Sequence, residues 1–121
     1  MDNKKIAKEL VGIARDLIEE GKEREAFMWT GPKFQGQIQV ISNVVDDLLK
    51  TSFILRGIEW SGKSKDLQRK MQRSVSKAVR GDLVGMNAWD TRNGIDFSIT
   101  GTFDRRGEVD ATKRNLEKLF S

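Results

Sequence analysis

The sequence predicts an α+β domain, a three- to four-stranded antiparallel or mixed sheet covered by about four helices. Three observations carry this. Apolar residues recur at three- and four-residue spacing over Lys4–Gly21 and Ser64–Arg80. A run rich in Phe, Ile, Leu and Trp lies between them at Ser52–Trp60. After the second helix, "NAWDTRNGIDFSITGTF" places Asn93-Gly94 inside apolar alternation, a hairpin signal.

Taken in order, the first helix uses Ile6, Leu10, Ile13, Ala14 and Leu17, with Asp2 or Asn3 as cap and Gly21 as stop. "AFMWT", Ala26–Thr30, reads as a short strand. The next segment supports two readings. "KFQGQIQV" alternates as a strand does, with Phe34, Gly36, Ile38 and Val40 set against Lys33 and three glutamines. Continued to Lys50, the residues Phe34, Ile38, Ile41, Val45 and Leu48 form a helical stripe instead, and Pro32 suits a first helical turn. The longer pattern favours a helix; the strand reading would shrink it to about Ser42–Lys50. In the Ser64–Arg80 helix Leu67, Met71, Val75 and Ala78 or Val79 face inward and Gly81 ends it. Arg105-Arg106-Gly107 makes a turn before a last helix, Glu108–Phe120, built on Val109, Leu116, Leu119 and Phe120. The strand–helix–hairpin–helix portion resembles half of a ferredoxin-like arrangement.

With 121 residues the chain is expected to form one domain, 1–121, large enough for a core without staples. It has neither cysteine nor histidine. No disulfide framework or thiolate metal site is therefore available, and the commonest general acid–base group is missing. The balance leans away from an enzyme, and no cofactor is expected. No apolar run is long enough for a bilayer, and the opening "MDNKK" lacks the apolar core of a secretory signal. A cytoplasmic setting is expected.

Two motifs bear on chemistry. "GIEWSGKS", Gly57–Ser64, has the letters of a phosphate-binding loop between a strand and a helix. Against that, Trp60 puts an indole where backbone must approach phosphate. The chain beyond supplies a hairpin rather than further parallel strands, and no apolar strand ending in Asp follows to complete a Mg²⁺ site. A strand-to-helix turn capped by Ser61 or Ser64 is the plainer reading. In the hairpin, a three-residue loop with left-handed Gly94 would set Thr91 against Ile95 and Asp90 against Asp96. Two facing carboxylates invite a cation, so Asp90 and Asp96 are weak candidates for a divalent metal, short of a full ligand set.

Charge gives the strongest functional signal. The chain is net +4, yet residues 51–80 alone are net +6 and the flanking parts are each net −1. Arg56, Lys63, Lys65, Arg69, Lys70, Arg73, Lys77 and Arg80 form one basic strand-turn-helix unit. A one-sided cationic helix suits an anionic partner, nucleic acid first, with DNA and RNA undistinguished. The competing reading is a solvated face meeting Asp46-Asp47 or Glu19-Glu20, or a protein partner, with oligomerisation left open. Metal-dependent nuclease or nucleotide-binding activity is the weakest reading. Trp29 and Trp60 flank loops and are expected to serve the core rather than stack on bases.

The opening helix "KIAKELVGIARDLI" resembles the N-terminal helices of many small uncharacterised proteins of tailed bacteriophages. That resemblance implies a phage accessory or structural assembly protein, virion-associated in that case, and carries over no functional residue.

Overall fold

The computed structural model describes residues 23–43 and 47–121. The helix expected over Lys4–Gly21 lies outside the described residues. Seven elements follow in order: β1 (Glu23–Thr30), β2 (Gln35–Asn43), β3 (Leu48–Ile58), α1 (Ser64–Ala78), β4 (Asp82–Thr91), β5 (Gly94–Phe103) and α2 (Arg106–Leu119). The strands form one five-stranded sheet ordered β1-β2-β3-β5-β4, antiparallel at every pairing. β3 and β4 run parallel with β5 between them, and α1 joins them across the sheet, a split β-α-β unit. Among the described residues no helix is long and apolar enough to cross a membrane.

The class α+β stands, but its contents differ from expectation. The sheet has five strands rather than three or four, and the described residues form two helices rather than about four. The largest correction is Phe34–Lys50, where β2 and the start of β3 replace the expected helix, residues 44–46 lying outside the described residues. Gly36, Ile38 and Val40 are buried on the core side and Gln35 is exposed on the other, as alternation requires, although Gln39 and Ile41 on that other side are buried as well. The helical stripe was a coincidence of spacing that joined the ends of two antiparallel strands. There Asp47 takes a positive φ of 55° and its N–H donates to Asn43 O at 2.8 Å. As an inner strand, β2 satisfies its backbone groups on both sides, against β1 and β3.

One face of the sheet makes the core. Ile38 and Val40 of β2, Phe53 and Leu55 of β3, and Ile95, Phe97, Ile99 and Phe103 of β5 point the same way. Leu67, Val75 and Ala78 of α1 and Val109 and Leu116 of α2 close over them. Each such large side chain contributes about 1.5–3 kcal/mol on burial. Edge-on ring contacts link Trp29 to Phe34 (4.8 Å), Trp29 to Phe53 (5.9 Å) and Phe53 to Phe103 (6.2 Å). The Trp29 indole N–H donates to Glu117 Oε1 at 2.7 Å, tying β1 to α2. The helices are fastened by polar contacts: Asn115 Nδ2 donates to Ala78 O at 2.9 Å, and the Arg80 N–H donates to the buried Thr112 hydroxyl at 2.9 Å. On the opposite face Ile54 packs with Trp89, and the Ser52 and Thr100 hydroxyls share a hydrogen bond across β3 and β5.

Gly36 stands between Trp29 and Leu55 on the neighbouring strands, and a Cβ there would overlap the Ile54 carbonyl. Gly36→Ala is expected to lower stability by about 1–3 kcal/mol, read as a fall in Tm of several degrees.

Candidate nucleic-acid interface

α1 is positioned by its apolar stripe. With Leu67, Val75 and Ala78 buried and Met71 half-buried against the core, the other side of the helix must face outward. Lys65, Arg69, Arg73 and Lys77 follow one another there at four-residue steps, all exposed, and Lys70 stands beside them. Lys63 is exposed at the N-terminal boundary of the helix and Arg80 just past its end. Asp66 in the first turn is the acidic residue on this helix.

Among the described residues, none of these cations enters an ion pair; the described pairs are Arg106 with Glu25 and Lys113 with Glu117. Asp47 therefore does not neutralise the face, and Asp46, Glu19 and Glu20 lie outside the described residues. Lys70 Nζ sits 5.2 Å from the centre of the Trp60 ring, a cation–π contact that leaves its charge in place. Trp60 also donates through Nε1 to Lys63 O at 3.3 Å and packs against the core. One side of its ring is thus covered by Lys70, in keeping with a packing rather than a base-stacking role.

Arg56 does not join this face. It is two residues beyond Ile54 on β3, so it projects from the side of the sheet opposite α1. The basic unit that looks continuous in sequence is divided between two surfaces, because a strand residue and a helix residue obey different periodicities.

The phosphate-loop letters take another form in three dimensions. Gly57 belongs to a bulge of β3, with φ 77°, rather than to the turn before α1. The N–H of Ser64, the first residue of α1, donates to Asp90 Oδ1 at 3.0 Å, so a carboxylate of the chain itself occupies the helix N-terminus. The Trp60 indole lies against Gly62, where a Cβ would come within 2.7 Å of its Nε1. Neither Ser61 nor Ser64 caps the helix: Lys63 holds the N-cap position without a side-chain cap, and Asp90 supplies the acceptor from the hairpin.

The hairpin register explains how Asp90 gets there. Thr91 pairs with Gly94 across Arg92-Asn93, so Asp90 faces Ile95, and Met86 and Ala88 face Ile99 and Phe97. This differs from the expected Thr91–Ile95 pairing, and Gly94 is not left-handed. Matching Met86 and Ala88 with Ile99 and Phe97 gives the helix side a continuous apolar surface, which outweighs the preference for a left-handed glycine. Asp96 is paired with Trp89 and projects from the other face, accepting from the Gly57 N–H at 3.1 Å. The two carboxylates expected to share a cation are therefore on opposite sides of the sheet. No cluster of three or more metal-ligating side chains occurs among the described residues.

Asp90→Ala is expected to cost about 1 kcal/mol by removing the acceptor at the start of α1, seen in denaturant titration and faster amide exchange at Ser64. Millimolar Mg²⁺ is expected to leave the amide resonances of Asp90 and Asp96 unmoved. No protein-family model, curated protein or solved structure significantly matches this chain.

Proposed function

We propose that this chain is a non-enzymatic binding module that takes up nucleic acid on the exposed face of α1, through Lys63, Lys65, Arg69, Lys70, Arg73, Lys77 and Arg80. The observation that carries this reading is the row of exposed cations without acidic partners among the described residues. Such a row repels itself by a few tenths of a kcal/mol per pair, and an anionic partner removes that cost. From Lys65 to Lys77 the row is about 18 Å long at the α-helical rise. That length lets several successive phosphates be neutralised at once, with release of their counterions.

The contacts are with phosphate rather than bases. Two side chains that could read base edges are engaged within the fold: Gln68 donates to Met86 O at 3.3 Å and Ser76 to Gln72 O at 2.8 Å. What remains outward is a row of cations with Gln72 among them, and its four-residue spacing suits phosphates first. A second reading, protein assembly, is favoured by the outer strand β1, where Phe27 and Met28 are exposed beside a sheet edge that is unpaired among the described residues.

Fluorescence anisotropy with labelled duplex and single-stranded oligonucleotides tests the proposal. Binding is expected to weaken with salt, with a log–log slope of roughly −4 for four to five phosphate contacts. Combining Lys70→Glu with Arg73→Glu is expected to cut affinity at least tenfold and flatten the slope by about 2, with an unchanged circular dichroism spectrum. Absence of binding at low salt, or binding indifferent to salt, rejects the nucleic-acid reading. A Met28→Glu change that dissolves an oligomer would then favour assembly.

A further inference from the structure

On the opposite face, the end of the sheet opens into a groove of about 540 Å³ between the β1–β2 turn and the β3 bulge. Register builds its polar wall: Thr30 pairs with Gln35, and Gln35 pairs with Arg56, so three polar side chains line up across β1, β2 and β3. Lys33 contributes a second cation from the turn, and Met28 and Pro32 give apolar contact. Arg56 is the anomaly. Its Nε is sealed from solvent without an acceptor, and it enters no ion pair among the described residues. The carboxylate of Asp96 accepts from the Gly57 N–H through Oδ1 and forms no ion pair with Arg56. Nε itself lies out of a ligand's reach; what a ligand in the groove meets is the rest of the half-buried guanidinium, which has no partner of its own among the described residues.

We infer that this groove is a binding site for a small phosphomonoester, held by Arg56 with Lys33, Thr30 and Gln35. A guanidinium donates in parallel to two phosphate oxygens, and a dianion matches two cations better than a carboxylate does. The hydroxyl of Thr30 and the amide of Gln35 complete the donor set, and Met28 and Pro32 accept the organic part of the ligand. The volume falls within the usual range for small-molecule sites. The site lies across the sheet from α1 and does not depend on the nucleic-acid reading.

The test is a ¹⁵N-resolved NMR titration at constant ionic strength with inorganic phosphate, phenyl phosphate and benzoate. Saturable shifts are expected at the Gly31, Gly36 and Gly57 amides and at the Arg56 Nε–Hε resonance, with phenyl phosphate binding tighter than inorganic phosphate. Arg56→Met is expected to abolish the shifts and Arg56→Lys to weaken binding at least tenfold, while Lys70→Glu with Arg73→Glu leaves it unchanged. The Arg56→Lys arm keeps the test decisive should Arg56→Met not fold. Shifts that fail to saturate, that fall on α1, or that survive both Arg56 changes overturn the inference. Benzoate binding as tightly as phenyl phosphate overturns the assignment to phosphate.

Discussion

Burial of one sheet face under two helices is the constraint from which the other features follow. Phe53, Leu55, Phe97, Ile99 and Phe103 form a continuous apolar surface on β3, the central strand, and its neighbour β5. Removing that surface from water is the dominant favourable term. It requires α1 and α2 to turn Leu67, Val75, Val109 and Leu116 downward. Once those stripes are committed, helical geometry decides where every other side chain of α1 must point.

That commitment creates two cationic surfaces from one basic stretch of sequence. The α1 row is cationic because its acidic counterparts are few and the helix has no rotational freedom left to hide it. Arg56 is separated from the row by the thickness of the sheet, a consequence of strand alternation. Its neighbours in space are Gln35, from the adjacent strand, and the turn that carries Lys33. Electrostatically the two surfaces are alike in sign and different in shape: an exposed ridge suited to an extended polyanion, and a groove suited to a compact one.

The loop before α1 shows how a motif can lose its meaning when the chain folds. A helix N-terminus attracts negative charge whatever its source. Here Asp90 reaches it from the β4–β5 hairpin, and Trp60 fills the space over Gly62. Asp90 thereby secures β4 to the start of α1, while Gln68 secures the helix to Met86 further along the same strand.

The sequence by itself determined α1, α2 and the inward stripes of both, because those signals are local and repeat every turn; α1 begins at Ser64 as read, and Val109 and Leu116 are buried as read. It also determined that an excess of positive charge sits on α1. Only the tertiary structure decided that Gln35–Asn43 is a strand, since its two periodicities compete, the longer one favouring a helix, and the choice rests on backbone partners from β1 and β3. Pairing likewise decided the hairpin register, the separation of Asp90 from Asp96, and the alignment of Thr30, Gln35 and Arg56. Each of these depends on which residue of a distant strand lies opposite, and hydrogen bonds between strands carry that information while local spacing does not.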